Sequence, residues 1–343
     1  MGLSFLISLI KRFRVKPASL LWGSHRFELG LRNIIFQELE EKTERPFTSL
    51  TDPVVPGIVH SVALKERRTF VLDRVRFDSN LGYLWFQNQP ILESNPSPKR
   101  ENLPKYVIPF HFGKTLGEVT NPLYPIRPEG YYHWLIETVP RILRAIKLVP
   151  GTRLVFFEDL FPFQEAQLRL LGLSGRLVFE QNKWRPLTVV CPTPGTESGW
   201  PELSDLSALR SAFGSIGRAP SLAKNLLIAR SGYSRSILEL AELSQVIKEF
   251  SLTPFEPELH SPEEQIQAFK NASLIVAEHG GALANLAFSE PGTVVVEIMR
   301  NDYANPCYEI LSMQLGLDYR RVMASEARVH PQVIRAALAE SKN

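Results

Sequence analysis

The segment from Ser273 to Ile298 constrains the fold of this 343-residue chain more than any other. It begins with a short apolar run of strand length, SLIVA, and ends with a second run rich in β-branched residues, TVVVEI. Between the two runs, Leu283 to Phe288 has the spacing of a compact helix, and Pro291 and Gly292 are typical of a turn. The segment therefore predicts a β-α-β unit in an open α/β domain.

The same segment carries polar residues and glycines at the point where the first strand gives way to the helix. Gly280 and Gly281 let backbone amides approach an anion, the helix start adds unpaired N–H groups, and His279 and Asn285 add polar side chains. Glu297 lies near the end of the next strand, where a carboxylate can accept two ribose hydroxyls. These residues predict a diphosphate site with a ribose beside it. A structural glycine turn and a solvated strand end are the alternatives.

Two arginines follow another predicted strand, Asn225 to Ala229. Arg230 and Arg235 bracket the turn ARSGYSR, so both guanidinium groups can project from one edge of the sheet. Arginine suits bidentate binding of phosphate oxygens. They are candidate phosphate ligands, with a pair of surface arginines as the alternative.

A second candidate site lies in GYYHWLIETVPRIL, which has helical spacing from Gly130 onward. His133 and Glu137 are four residues apart and share one helix face, where either can act as a general base. Glu137 is the first candidate and His133 the second; a hydrogen-bonded pair that only stabilises the helix is the alternative. Pro140 predicts a kink, because it cannot donate to the carbonyl of Ile136. The pattern HxxxE is not the zinc motif HExxH, so no metal site is predicted.

Length and local breaks predict two domains. A chain of 343 residues with 44% hydrophobic residues can bury a substantial core, and GSIGRAP places a boundary near Pro220. We therefore expect an N-terminal domain over 1–219, with a β-rich N-terminal region, and a nucleotide-binding domain over 220–322. The remainder, 323–343, is expected to be helical and to pack back on the first domain.

Charge and cysteine usage exclude several classes. The net charge of +3 and the absence of a long Lys/Arg block argue against nucleic acid as a partner. Cys191 and Cys307 are far apart and have no metal-ligand spacing, so neither a disulfide framework nor a zinc site is indicated. The apolar start, MGLSFLISLIKRFR, is too short to span a bilayer; we expect a docked helix or a short peripheral membrane contact.

The ordered set of motifs resembles glycosyltransferase family 61, also called the DUF563 family, in its bacterial type. The resemblance runs from about Tyr124 to Tyr319 and rests on YYHWLIETVPRI, the strand followed by two arginines, PEEQIQAF, NASLIVAEHGGALANLAF, PGTVVVEI and YEILSMQLGLDY. It implies a GT-B fold, in which two Rossmann-like domains face a cleft, and inverting sugar transfer without a metal or another cofactor. It also implies donor contacts from the glycine motif, both arginines and Glu297, with His133 and Glu137 on the acceptor side.

The chain departs from the family pattern at three places. Family members often have aspartate at the position of Glu137. The common HGAGLTN is HGGALAN here, with Ala282 and Ala284 in place of glycine and threonine. The Asn-Glu pair that usually follows the second arginine is replaced by Glu239 and Leu240.

We therefore expect an inverting glycosyltransferase that acts on a glycan or lipid-linked glycan acceptor in surface polysaccharide or capsule synthesis. We expect it to be cytoplasmic, either free or peripheral to the inner membrane. The alternative is a non-catalytic protein that binds a nucleotide sugar or a glycan. A dehydrogenase is not supported, because no GxGxxG follows a first strand with an acidic residue about 20 positions later.

Overall fold

The protein is described here by a computed structural model. It describes residues 36–39, 50–51, 59–60, 67, 69–78, 82–86, 89–91, 94, 123–127, 130–181, 187–196, 198–218, 223–228, 242–300, 305–324 and 329–339. Arg230 and Arg235, predicted as phosphate ligands, lie outside the described residues, as do the apolar N-terminus and the predicted boundary at Pro220.

The first sheet is mixed and includes the β-rich N-terminal region. In the described ranges the strands of this half are β1 (Phe36–Leu39), β2 (Leu50–Thr51), β3 (Val59–His60), β4 (Thr69–Asp78), β5 (Tyr83–Phe86), β6 (Gln89–Ile91), β7 (Leu123–Ile126), β8 (Arg153–Phe156), β9 (Leu177–Phe179) and β10 (Leu187–Pro192). Their order in the sheet is β6-β5-β4-β10-β7-β8-β9, with β1 paired to β4, while β2 and β3 pair with each other. Strand β10 runs antiparallel to β4 and parallel to β7. Strands β1, β4, β5 and β6 thus extend the α/β sheet.

Helices cover this sheet, and the segment that follows Tyr132 contacts the second half of the chain. They are the π-helical segment His133–Thr138, α1 (Val139–Leu148), α2 (Pro162–Leu170) and α3 (Leu203–Ala212), with a short 3-10 turn at Ser174–Arg176. We call this sheet with its helices the first unit.

The second sheet is parallel throughout. Its strands are β11 (Asn225–Ile228), β12 (Thr253–Pro254), β13 (Leu274–Glu278), β14 (Val294–Arg300) and β15 (Asp318–Ala324), in the order β12-β11-β13-β14-β15. The helices are α4 (Ser244–Glu249), α5 (Pro262–Asn271), α6 (Cys307–Leu315) and α7 (Pro331–Ala339), with 3-10 segments at Pro257–Leu259 and Gly281–Phe288. We call this sheet with its helices the second unit. The α/β class with parallel strands is therefore confirmed.

Local sequence explains why the second unit forms where it does. Strand β13 pairs with β14 from Leu274 opposite Val294 to Glu278 opposite Ile298, and helices cover both faces, which suits runs of apolar residues. Helix α5 begins with a capping box, in which Ser261 accepts from the amide of Glu264 and the Glu264 carboxylate accepts from the amide of Ser261. The two strands lie where the sequence predicts them.

The C-terminal helix α7 packs on the second unit. Ile334 and Leu338 are buried in the cluster that contains Val296 and Val322 of the second sheet, and Arg335 bonds Glu249 of α4 at 2.8 Å. The contacts described for this helix are with the second unit, and its expected packing on the first domain stays a prediction. The apolar face of this helix packs against the second sheet, whose last strand, β15, precedes the helix in the chain.

The predicted kink at Pro140 takes the form of a wider helical turn. The amide of Val139 donates to the carbonyl of Trp134, five residues earlier, and the segment His133–Thr138 is π-helical. Pro140 then stands in the first turn of α1, where a missing N–H is tolerated. Such π-helical turns occur often at functional sites.

The two units share one buried core. Trp134 and Leu206 of the first unit belong to the same cluster as Leu283 and Phe288 of the second. Arg210 of α3 also donates to the carbonyl of Ala287 at 2.9 Å and to that of Ser289. The start of the π-helical segment is thereby held against the second unit. No helix in the described part of the chain has the length and apolar character needed to cross a membrane.

Candidate active site

A cavity of about 820 Å³ lies between the two units. The first unit contributes Gly130–His133 and the start of α2. The second unit contributes Gly280–Ala282, Glu278 at the end of β13, and most of the segment 257–262. Both predicted motifs therefore border the same cavity, which spacing alone does not establish.

His133 and Glu137 form a hydrogen-bonded pair at this cavity. The imidazole Nδ1 lies 3.1 Å from Glu137 Oε2 and 3.2 Å from the hydroxyl of Ser198. Ser198 donates to both carboxylate oxygens, and the amide of Gly199 donates to Oε1 at 2.6 Å. Gly199 has a φ of 90°, a conformation that favours glycine. The His133 side chain is 45% exposed and that of Glu137 only 10%, so the imidazole faces the cavity and the carboxylate supports it.

A pair of tyrosines connects this site to the glycine motif. The Tyr132 ring contacts the rings of His133 and Tyr308, each with centroids 5.5 Å apart. Tyr308 contacts the His279 ring at 5.3 Å and donates to the carbonyl of Gly280 at 2.7 Å. Burial raises the pKa of Tyr132 far above its ordinary value, with a further contribution from Glu137, so the phenol stays neutral. The two predicted sites are therefore in contact.

His279 and Glu297 are held in a second hydrogen-bonded group. His279 Nδ1 lies 2.5 Å from Glu297 Oε1, and the Tyr319 hydroxyl donates to Oε2 at 2.5 Å. Glu297 is fully buried, and burial with the nearby carboxylate raises the pKa of Tyr319. Both oxygens that were expected to accept ribose hydroxyls are thus occupied, and the ribose contact of Glu297 stays a prediction.

Asn285 belongs to a polar network between the units. Its side chain is fully buried; its carbonyl accepts from the Tyr131 hydroxyl at 2.8 Å, and its amide donates to Gln265 at 3.0 Å. Gln167 donates to the same phenol at 3.4 Å and accepts from the Trp134 indole at 2.8 Å. The structure gives Asn285 a role in joining the units, while its predicted donor contact stays untested.

Gly280 and Gly281 place backbone directly beside the cavity. A Cβ added to Gly281 would lie 3.5 Å from Cβ of Tyr131, so the turn packs closely on the first unit. The 3-10 segment begins at Gly281, and its first N–H groups have no partner within that segment. This geometry is suited to binding an anion at the helix start.

Among the described residues, no cluster of three or more His, Cys, Asp or Glu side chains is arranged to hold a metal ion. Cys191 and Cys307 are buried and form no disulfide, and burial raises the pKa of the Cys307 thiol well above its ordinary value.

Sequence reasoning missed several residues of the site. Ser198 and Gly199 lie in a stretch that the sequence marks only as rich in helix and strand breakers. Phe163 and His260 line the cavity but belong to no motif that signals chemistry. The local signal in this stretch is a glycine next to a serine. It does not show that these two residues bind a carboxylate that is distant in sequence.

Most of the cavity lies in a region that matches a known protein family. The family model of glycosyltransferase 61 matches residues 131–296, which contain both walls of the cavity. A β-1,2-xylosyltransferase of Arabidopsis thaliana is 28% identical over 80 residues, which are 23% of this chain and 15% of that enzyme. The β-1,2-xylosyltransferase RCN11 of Oryza sativa subsp. japonica is 32% identical over 60 residues, 18% of this chain and 11% of that enzyme. The matches therefore span a small part of both plant enzymes.

The two α/β units and the cavity between them contain most of the region that matches the family model. Residues 131–296 of the chain belong to glycosyltransferase family 61.

Proposed function

We propose that this protein is an inverting glycosyltransferase of the GT-B type that moves a sugar from a nucleotide-sugar donor to a hydroxyl of a glycan acceptor. One observation carries the proposal: His133, backed by Glu137, lines the same cavity as the backbone of Gly280–Ala282. A base and an anion-binding turn on opposite walls are what transfer from a sugar diphosphate requires.

The geometry favours His133 as the base, which reverses the order expected from the sequence. With its proton on Nδ1, directed at Glu137, the imidazole keeps Nε2 for the acceptor hydroxyl. Nε2 accepts the hydroxyl proton, and the acceptor oxygen forms a bond to the anomeric carbon. The bond from that carbon to the diphosphate breaks, and the nucleoside diphosphate leaves with the electron pair. Glu137 stabilises the imidazolium that forms.

Negative charge grows on the diphosphate as it leaves. The N–H groups at the start of the 3-10 segment Gly281–Phe288 are positioned to stabilise it, because fixed dipoles at a water-poor site need little reorganisation. Arg230 and Arg235 are proposed to add full positive charges there. The proposed reaction needs neither a metal nor another cofactor.

We propose a glycan or lipid-linked glycan of a surface polysaccharide as the acceptor, at the cytoplasmic side of the inner membrane. The names of the plant relatives make a xylose donor the first to test. The test incubates the purified protein with a panel of nucleotide sugars and follows nucleoside diphosphate release with and without glycan acceptors. Acceptor-dependent release that is lost in His133→Ala supports transfer. A donor that binds but is released unchanged by the wild type, with every acceptor tried, would indicate a non-catalytic binder.

A further inference from the structure

We infer that the nucleoside of the donor binds at the end of the cavity lined by Phe163, Pro257 and His260, with its base stacked on the aromatic rings. This inference rests on the proposed function, because it concerns the same donor. It assigns a subsite to residues outside the glycine, arginine and His-Glu motifs.

The direction of the donor follows from its connectivity. A nucleotide sugar is a linear molecule in which the sugar and the nucleoside leave the diphosphate on opposite sides. If the sugar carbon lies near His133 and the diphosphate near Gly280 and Gly281, the nucleoside must extend away from His133.

Contacts between residues on the cavity walls show which end of the cavity lies away from His133. Tyr132 contacts His133 and Tyr308, and Tyr308 bonds the carbonyl of Gly280. One step further from His133, Tyr131 packs on Gly281 and its hydroxyl lies 3.2 Å from the Gln265 carbonyl oxygen.

The last step reaches the aromatic end of the cavity. The amide of Gln265 donates to the carbonyl of Pro257 at 2.7 Å and to that of His260 at 3.0 Å. In this series of contacts, which starts at His133, the segment that begins at Pro257 comes last. It therefore lies at the end of the cavity opposite to His133.

This end offers flat rings on both walls. Phe163 of the first unit packs edge-on against Tyr131 at 5.2 Å and lies parallel to Phe161, with centroids 5.7 Å apart. His260 of the second unit stacks on Phe255 at 4.4 Å with 8° between the planes, and its side chain remains 38% exposed. Aromatic side chains of this kind bind nucleobases by stacking, whatever the base.

A second carboxylate, at the same end of the cavity, can take the ribose-binding role that was predicted for the buried Glu297. Glu297 is enclosed by His279 and Tyr319, whereas Glu258 is exposed and lines the cavity beside Pro257. Glu258 is therefore positioned to accept hydrogen bonds from ribose hydroxyls or from an N–H of the base.

The test compares two ligands that differ only by the nucleoside. Calorimetric titration of the wild type with UDP, GDP, CDP and ADP identifies the diphosphate that binds most tightly, and inorganic pyrophosphate is titrated in parallel. Phe163→Ala and His260→Ala are expected to weaken binding of that nucleotide by about 5- to 150-fold, the effect of losing a base–aromatic stack, and to leave pyrophosphate affinity unchanged.

Phe179→Ala is the matched control. Phe179 is an exposed phenylalanine that, like Phe163, packs on another ring, Phe156 at 5.9 Å, but it does not line the cavity. It is expected to bind both ligands as the wild type does. Thermal melts establish that each variant is folded; if Phe163→Ala is not, Phe163→Leu and His260→Ala carry the test.

Each outcome decides between the inference and its alternatives. Unchanged nucleotide affinity in both folded variants, or an equal loss for nucleotide and pyrophosphate, overturns the nucleoside subsite and leaves the proposed function standing. If no nucleoside diphosphate binds the wild type, the proposed function is overturned together with the subsite.

Discussion

The hydroxyl of Tyr131 donates a hydrogen bond of 2.8 Å to the side-chain carbonyl of Asn285, which joins the two units directly beside the cavity. Tyr131 is two residues before His133, and Asn285 lies in the segment that begins at Gly281. One hydrogen bond therefore relates the proposed base to the proposed diphosphate turn. Burial raises the pKa of Tyr131, so this phenol remains a donor throughout the physiological range.

We expect Tyr131→Phe to lower the free energy of unfolding by about 1–3 kcal/mol, because the buried carbonyl of Asn285 loses its donor. Urea denaturation measures the change. Ser207→Ala is a control, since its exposed hydroxyl bonds only the carbonyl of Leu203 within α3. A loss no larger than that of the control would show that the phenol hydroxyl does not hold the units together.

Substitutions of the His-Glu pair are expected to reduce turnover without affecting donor binding. His133→Ala removes the proposed base and should lower kcat by about 10²- to 10⁴-fold. Glu137→Gln keeps the size of the side chain but removes the charge that stabilises the imidazolium, so it should also lower kcat. Initial rates measure turnover, and calorimetry measures donor affinity. Full activity in both variants would exclude the pair from the reaction.

Glu297→Gln is expected to make the turn at Gly280 and Gly281 less stable. The amide places an N–H group against either His279 or Tyr319, where the native carboxylate accepts from both. We expect a lower melting temperature and weaker pyrophosphate binding, because His279 precedes the turn and loses its anchor. Glu249→Gln is the control, since this carboxylate is an exposed partner of Arg335 on the far helices. Unchanged pyrophosphate affinity in a folded Glu297→Gln protein would separate this carboxylate from donor binding.

Stability is expected to fall at alkaline pH. Burial raises the pKa values of Tyr131, Tyr132 and Tyr319 above the ordinary value of 10.0. The folded state therefore holds protons that the unfolded state releases above about pH 10, and stability decreases by up to about 1.4 kcal/mol per pH unit for each group. Below about pH 10 this contribution is fully present.

Urea midpoints between pH 8 and pH 11 test this dependence. The Cys307 thiol, whose pKa burial also raises from an ordinary 9.0, should begin the decline about one pH unit earlier. Tyr319→Phe should make the decline above pH 10 less steep. A flat profile up to pH 11 would contradict the burial of these phenols.

Hydrophobic patterning was sufficient for much of the second unit. SLIVA and TVVVEI match β13 and β14 closely, because buried parallel strands are continuous apolar runs. The motif PEEQIQAF lies in α5, which carries its own capping box. Helix α3 was not predicted, since LSDLSALRSA mixes serine and aspartate into a weak pattern. The GT-B arrangement came from family resemblance and remains a proposal.

Site residues were predictable only where the signal was local. The four-residue spacing of His133 and Glu137 predicted a shared helix face, and their contact follows from it. Which of the two faces the cavity depends on Ser198 and Gly199, more than 60 residues away. Likewise, Asn285 was expected at the donor because its nearest motif is the glycine turn, whereas its partner Tyr131 is 154 residues distant in sequence.

The π-helical turn at His133–Thr138 makes the orientation of the base depend on chain length. A π-helical turn contains one residue more than an α-helical turn, and one residue corresponds to about 100° of rotation about the helix axis. If one residue were deleted between Glu137 and Val139, the segment would be expected to rewind as an α-helix. The faces of Tyr131, Tyr132 and His133 would then swing about a quarter turn away from the glycine motif. The cavity is therefore sensitive to single-residue deletions here that would leave the hydrophobic composition of the helix unchanged.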